Sequence, residues 1–134
     1  MPKVLGLEVD LHQPHRDLFC TTAKTFAELF DSRGVDDRGQ KTKNTRTQMR
    51  GFYDEIVSWN DKIGIDDEVY KVNEALLRMF LAKVAYSEGR KHVTKEVQSF
   101  MVDCFQQIDN AESFNNFRLL FEAIMGYYAG YRSK

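Results

Sequence analysis

Proline occurs at Pro2 and Pro14, and the 120 residues from His15 to Lys134 contain none. At an average usage of about 5%, roughly six prolines would be expected over that length. Proline interrupts helix interiors because its ring clashes with the preceding turn and its nitrogen carries no hydrogen to donate. The sequence therefore predicts an all-α fold, and its length suits one domain that buries its own core.

The spacing of apolar residues predicts five helices, which lie over about 17–32, from about 45 to the turn at Gly64, over about 67–89, from about 95 to 108, and over about 114–131. The most regular line is Phe114, Phe117, Phe121, Ile124, Tyr128 and Tyr131, at helical 3-4-3-4-3 spacing. The third helix is expected to bury Val69, Val72, Leu76, Phe80 and Val84. We therefore expect a compact bundle of about five helices that forms a single domain over residues 17–134.

Residues 1–16 are expected to form a separate N-terminal arm. Leu5, Leu7, Val9 and Leu11 alternate with other residues in a strand pattern, but no second strand is available to pair with it. The sequence leaves two alternatives for this arm, which are docking onto the bundle and disorder. The segment lacks the uninterrupted apolar run of a signal peptide, and no apolar stretch approaches the length that spans a bilayer.

The two cysteines, Cys20 and Cys104, are too few to form a disulfide framework, and both fall on apolar helical faces. The sequence therefore predicts a cytoplasmic protein with free thiols and no membrane association.

The charge of the chain is balanced in total but uneven along its length. Nineteen Lys and Arg residues oppose twenty Asp and Glu residues, for a net charge of -1, which excludes a bulk polycation or an acidic tail. Residues 33–50 hold six basic and two acidic residues, or +4, and leave -5 for the rest of the chain. A second window, residues 83–95, carries +3.

The first basic window is placed at a helix start. Thr45 and Gln48 have the spacing of a capping box, and Lys41 and Lys43 lead into the positive end of that helix. Arg46 is one helical turn before Arg50, and both lie about 90° from the apolar stripe. Such a basic edge is typical of contact with a phosphodiester backbone, and the alternative is a solvated loop and helix start.

Enzyme chemistry finds no support in the motifs of the sequence. His12 and His15 could offer imidazoles to a metal, but no cysteine or carboxylate stands at a recognisable spacing from them. Glu88 and His92 lack the spacing and the repetition of a di-iron site. We therefore expect no catalytic residue, metal or cofactor.

Three segments resemble one known family. They are residues 43–56 (KNTRTQMRGFYDEI), residues 81–90 (LAKVAYSEGR) and residues 114–127 (FNNFRLLFEAIMGY). In this order they are similar to the small subunit of type III-A CRISPR interference complexes, the Csm small subunit. The resemblance extends from Lys43 to about Tyr131 and leaves residues 1–42 unmatched.

The resemblance implies a non-catalytic RNA-binding subunit, several copies of which stack beside the filament that holds the CRISPR RNA. Its implied partners are the other subunits of the effector complex, copies of itself, the target RNA and the CRISPR RNA. Together with the charge pattern, it marks seven basic residues as candidates for contact with RNA phosphates: Lys41, Lys43, Arg46, Arg50, Lys83, Arg90 and Arg118. The alternative is a helical protein–protein adaptor or homodimeric module that makes no direct contact with nucleic acid.

Several candidate contacts also have a structural interpretation. Arg118 and Glu122 are spaced for an ion pair within one helix. The phenylalanines are expected to form the core rather than to stack on bases. Tyr127 and Tyr131 suit base stacking or a subunit interface equally well, and Trp59 suits either the core or a contact.

Overall fold

The computed structural model describes residues 2–132 and confirms the all-α prediction. The elements are strands β1 (Lys3–Val4) and β2 (Leu7–Glu8), a π-helical turn (Leu18–Thr22), and helices α1 (Ala23–Arg33), α2 (Arg46–Ile63), α3 (Asp67–Arg78), α4 (Phe80–Gly89), α5 (Lys95–Gln107) and α6 (Ala111–Tyr128). Within the described part of the chain, no helix combines the length and apolar character that crossing a membrane requires.

Phenylalanine rings form the centre of the bundle. Nine of the ten phenylalanines are buried, and only Phe19 remains partly exposed. Phe100 of α5 meets Phe26 of α1 at a ring-centroid distance of 4.9 Å and also packs against Phe117 of α6. Phe117 and Phe121 lie nearly parallel, 6.2 Å apart. The expectation that these rings form the core is therefore confirmed.

Side-chain caps fix where the helices begin. Thr45 accepts a hydrogen bond from the backbone nitrogen of Gln48 at the start of α2, and Thr94 caps α5 in the same way. Asp66 accepts from two backbone nitrogens at the start of α3. Asn110 forms a reciprocal capping box with Ser113 at the start of α6. Each cap satisfies donors that would otherwise have no partner within the helix.

The predicted third helix is wrong in two respects. The chain tightens at Met79 and forms two helices, and α3 buries Tyr70, Asn73 and Leu77 rather than the expected line. Val72 and Leu76 are 80% and 57% exposed, although Phe80 and Val84 beyond the break are buried as expected. The apolar arc of α3 is wider than the core requires, and the exposed line lies about 110° from the buried one. Spacing locates that arc but does not say which part of it meets the core.

The strand predicted near the N-terminus has a partner within the same segment. The chain reverses at Leu5 and Gly6, both at positive φ, so that β1 pairs with β2 in antiparallel register. Val4, Val9 and Leu11 are fully buried against the bundle. The side-chain amide of Gln107 joins this segment to α5 by bonding the Leu11 nitrogen and the Val9 carbonyl, both at 2.8 Å. A single pattern of alternation therefore contains two short strands and the turn between them.

The two cysteines lie in different environments. Cys104 is fully buried in α5, as its apolar face predicts. Cys20 is exposed on the π-helical turn, so the expectation of an apolar environment for this residue is wrong. The π-helical geometry explains the error, because a helix with i→i+5 hydrogen bonds winds more residues into each turn than an α-helix and so rotates Cys20 off the face that a 3.6-residue period assigns to it.

Candidate nucleic-acid interface

Asn44 is the residue around which one end of the bundle is organised. Its backbone is left-handed, with φ at 54°, and its side chain is fully buried. The side-chain nitrogen donates to the Phe30 carbonyl and to the Thr94 hydroxyl, both at 3.0 Å, and its oxygen accepts from the Thr94 nitrogen at 2.9 Å. The Asn44 carbonyl accepts from the hydroxyl of Tyr128. One side chain and one peptide group thus join the end of α1, the starts of α2 and α5, and the end of α6.

Arg132 closes the same end of the bundle from beyond α6. It is 4% exposed, and its Nε donates to Asp31 Oδ1 at 2.7 Å. Its terminal nitrogens donate to the carbonyls of Lys43 and Asp31, both at 3.0 Å, and its guanidinium lies over the Tyr128 ring. Gly34 permits this approach, since a Cβ there would stand 2.6 Å from the guanidinium and 2.5 Å from the Lys43 oxygen.

The loop between α1 and α2 is held in place by its own polar groups. The carboxylate of Asp36 accepts hydrogen bonds from the backbone nitrogens of Arg38 and Gln40. The ammonium of Lys41 lies 3.3 Å from Asp31 and donates to the Tyr131 carbonyl. Lys41 therefore stabilises this end of the bundle through an ion pair, and it also adds positive charge to the surface there.

Arg46 and Arg50 line one cleft between the start of α2 and the end of α6. The cleft measures about 290 Å³, and its wall also includes Tyr53, Gly126 and Tyr128. Both arginines are exposed, which confirms that they share a face of α2 beside the buried stripe. The first turn of α2 contains no acidic residue, so its positive end is not neutralised by its own sequence.

Tyrosine and carboxylate groups also line this cleft. The hydroxyl of Tyr53 donates to Glu122 at 3.3 Å, and burial and the Glu122 carboxylate together raise the pKa of Tyr53. Burial raises the pKa of Tyr128 to about 12. Both hydroxyls are therefore protonated at neutral pH and act as neutral donors.

The second basic window meets the first through the backbone. The nitrogen of Asn44 donates to the His92 carbonyl at 2.9 Å, which places the loop that follows α4 beside the start of α2. Arg90 lies at the end of α4, where its guanidinium donates to the Tyr86 hydroxyl at 3.2 Å and lies over that ring. We refer to Lys41, Lys43, Arg46, Arg50 and the segment of residues 90–95, which is the loop after α4 and the first residue of α5, as the basic end.

Lys83 and Arg118 are held by partners outside this group. The ammonium of Lys83 forms a 2.9 Å ion pair with Glu55. Arg118 bonds Asn60 at 3.0 Å and forms the expected ion pair with Glu122, and only a quarter of its side chain is exposed. The structure therefore brings five of the seven candidates to the basic end or its loop, and it engages these two elsewhere.

The remaining aromatic candidates are partly engaged within the chain. The hydroxyl of Tyr131 donates to Glu28 at 3.2 Å, and that of Tyr127 faces the sulfur of Cys20 at 3.6 Å. Trp59 packs against the core while its ring lies beneath the Lys62 ammonium. None of these three is among the residues that line the cleft.

Residues 2–132 contain no group of three or more His, Cys, Asp or Glu side chains arranged to hold a metal ion. His12 instead joins the N-terminal segment to the end of α5, where its Nε2 lies 2.9 Å from the Gln107 carbonyl and 3.3 Å from Asp109.

Fold and surface together define a small helical-bundle protein with an organised basic end. Residues 18–134 match the family model described as Csm2 Type III-A, and the chain belongs to that family. It is therefore a structural subunit of a multi-subunit type III-A CRISPR complex, and the resemblance seen in the sequence is confirmed. Searches among curated proteins and among solved structures returned no match.

Proposed function

We propose that this subunit binds RNA in the effector complex through backbone phosphates, and that the basic end makes the contact. The observation that carries the proposal is the placement of Arg46 and Arg50 on one cleft at the positive end of α2. Arginine and helix N-termini are common phosphate contacts in nucleic-acid complexes. Family membership supplies the setting, since the chain is a structural subunit of a type III-A CRISPR complex, and the sequence resemblance implies that such a complex holds RNA.

The electrostatics of α2 favour an anionic partner. Arg46 stands in the first helical turn, where the helix dipole opposes a positive charge. A bound phosphate makes the charge of Arg46 favourable at this position, because the phosphate pairs with both the guanidinium and the positive N-terminal end of the helix. Asn44 and Arg132 fix the backbone from which Arg46 projects, so little ordering is required when RNA binds.

Within the cytoplasmic complex, several copies of the subunit stack beside the filament that holds the CRISPR RNA, and their basic ends follow the target RNA or the guide–target duplex. Contacts to phosphates specify position rather than sequence. The subunit therefore binds unrelated targets about equally, which suits a complex whose specificity comes from base pairing.

The proposal is tested by removing charge from the cleft. Arg46→Ala with Arg50→Ala is compared with Lys24→Ala plus Lys71→Ala, which removes the same charge from exposed sites on α1 and α3. RNA affinity is measured against salt concentration for the free protein and for the reconstituted complex. Each lost phosphate contact on single-stranded RNA makes the log–log slope about 0.7 less negative.

We expect the cleft variant to lose about 1.4 in slope and to weaken binding of unrelated RNA sequences by similar factors. The control variant should keep the parental slope. Failure of both the free protein and the complex to retain RNA at low salt would refute direct contact.

A second candidate function is a protein–protein adaptor without RNA contact. It is favoured by Tyr127, which remains 37% exposed near the end of α6. This alternative predicts that Arg46→Glu with Arg50→Glu leaves both complex assembly and RNA protection unchanged. Loss of RNA protection with normal assembly would decide for RNA contact.

A further inference from the structure

Among residues 2–132, Tyr86 is the most exposed aromatic side chain, at 65%. It stands in the last turn of α4, where the Arg90 guanidinium lies 5.8 Å from the centre of its ring and donates to its hydroxyl at 3.2 Å. The pair forms a flat surface with a positive charge at its edge. Exposed rings of this kind are surfaces on which nucleobases stack, and arginine adds to that attraction.

Gly51 leaves open the surface of α2 on the side of α4. It is exposed in the interior of α2, its φ is not positive, and a Cβ at this position would meet no atom within 4 Å. Glycine inside a helix is less stable than alanine, so the residue is unfavourable for the fold here. Neither packing nor backbone conformation requires it, and a close approach by another molecule accounts for its presence.

Two contacts between α2 and α4 place Gly51 opposite Tyr86. The first is the backbone bond that joins the start of α2 to the loop after α4, and the second is the ion pair between Glu55 and Lys83. The helices are therefore antiparallel here, with Gly51 and Tyr86 at the same level between the two contacts. Gly51 is one turn before Glu55 and Tyr86 one turn after Lys83, so the two residues lie on facing sides.

The surface between Gly51 and Tyr86 continues into the phosphate site of α2. Arg46, Thr47 and Arg50 line about 320 Å³ of open space on the first turns of that helix. Arg50 and Gly51 are adjacent and project about 100° apart around the helix axis. A strand whose phosphates contact the two arginines can therefore cross Thr47 and set a neighbouring base over Gly51, against Tyr86.

The charges near Tyr86 are compatible with an RNA strand. Glu88 is two positions further along α4, which turns its carboxylate about 160° away from Tyr86 around the helix. Glu55 is on the facing side of α2, but its charge is balanced by Lys83 at 2.9 Å. Arg90 belongs to the basic end and brings positive charge to the ring itself.

We propose that Tyr86 stacks on an unpaired base of the bound RNA, that Gly51 admits this base to the surface of α2, and that Arg90 holds the adjoining phosphate. The inference rests on the proposed RNA function and extends it, because it adds a base contact to contacts made with phosphates. Stacking accepts all four bases, since each has a π-face, so the site adds affinity without adding sequence preference.

An abasic ribose–phosphate chain separates stacking from phosphate contact. The free protein and the reconstituted complex are each titrated with a single-stranded RNA and with an abasic chain of the same length. Stacking of one base corresponds to a preference of about 5- to 150-fold for the strand with bases. Tyr86→Ala should bring this ratio close to one and keep the parental salt slope, because it removes no charge.

Two matched variants control for the change at Tyr86. Tyr86→Trp should keep the ratio, because tryptophan also offers a ring for stacking. Tyr127→Ala removes the exposed tyrosine of α6 and should keep it as well. Circular dichroism should be the same for all of these variants, since both side chains project from the core.

Gly51 provides a test in which stability and binding change in opposite directions. Gly51→Leu should raise the urea midpoint, because leucine favours a helix more than glycine and the position is open. It should lower the affinity for the strand with bases about as much as Tyr86→Ala, and leave abasic binding nearly unchanged. Ser58→Leu is the matched control, since it adds the same side chain to an exposed position two turns further along α2 and should keep the parental ratio.

The outcomes distinguish the base contact from the RNA function. A Tyr86→Ala variant that keeps the parental ratio would overturn the stacking proposal and leave the phosphate contacts standing. If that variant also failed to assemble into the complex, Tyr86 would be a protein contact instead. Failure of both the parent protein and its complex to retain RNA at low salt would overturn the RNA function and this inference together.

Discussion

Asn44→Ala should destabilise the fold more than most single substitutions. The change removes three buried side-chain hydrogen bonds and leaves an alanine at a φ of 54°. Each hydrogen bond contributes about 1 kcal/mol net, and the left-handed backbone costs alanine about 1 kcal/mol more. We expect the free energy of unfolding to fall by about 4 kcal/mol, out of the roughly 5–15 kcal/mol typical of a domain.

Urea denaturation followed by far-ultraviolet circular dichroism measures this loss. With a denaturant slope of about 2 kcal/mol per molar, the midpoint should move down by about 2 M. Asn44→Gly separates the two causes, because it loses the same hydrogen bonds but accepts the positive φ, and it should lose about 3 kcal/mol.

Lys91→Ala is the matched control, since Lys91 also has a positive φ of 63° but is exposed. It should change stability by no more than about 0.5 kcal/mol. A loss below about 1 kcal/mol for Asn44→Ala would refute the view that this residue holds the basic end together. Equal losses for the alanine and glycine variants would refute the part assigned to the backbone.

Three further predictions follow from the buried and paired groups. Burial raises the pKa values of Tyr70 and Tyr128 to about 12, so the folded state keeps protons that the unfolded state releases near pH 10. The contribution of these two tyrosines to stability should therefore be constant below pH 10 and fall between pH 10 and 12, by at most about 1.4 kcal/mol per pH unit for each tyrosine; Tyr128→Phe should lower that slope in pH-dependent denaturation. A thiol reagent should modify Cys20 quickly and Cys104 only after unfolding, because burial raises the pKa of the Cys104 thiol; two fast thiols would contradict the structure. Arg118→Met should lower stability by about 1 kcal/mol in denaturation and leave RNA retention unchanged, and a loss of retention would return Arg118 to the RNA interface.

Helices and core were predictable because their signals are local. Helix α5 forms where the apolar spacing predicts it and buries Val97, Phe100, Met101, Cys104 and Phe105, and Thr45 caps the start of α2 as its spacing from Gln48 predicts. The buried face of α3 was not predictable in this way, because two apolar faces compete and contacts with distant residues decide between them, such as the bonds from Arg78 to the carbonyls of Phe105 and Ile108. The sequence around Met79 contains no glycine or proline that would indicate a break in the helix.

The local part of the candidate interface was also predictable from the sequence, and its long-range contacts were not. The turn-to-turn spacing of Arg46 and Arg50 is a local property, and the structure places both on one cleft. The groups that hold this surface are not local: Asn44 bonds a residue 50 positions away, and Arg132 bonds one 101 positions away. No spacing rule in a single sequence links residues at such distances, and Arg132 stands beyond the last apolar stripe.

Both ends of the described chain are fastened to distant parts of it. Asn116 bonds the Leu11 carbonyl across 105 residues, and Arg132 reaches Asp31 across 101. Closing such long loops is entropically costly, so these contacts form late in folding, after the local helices and their first packing. During synthesis Arg132 is made after every cation of the basic end. A nascent chain can therefore contain all of those cations while the basic end itself is still unfinished, and the surface is completed only once Arg132 has been made.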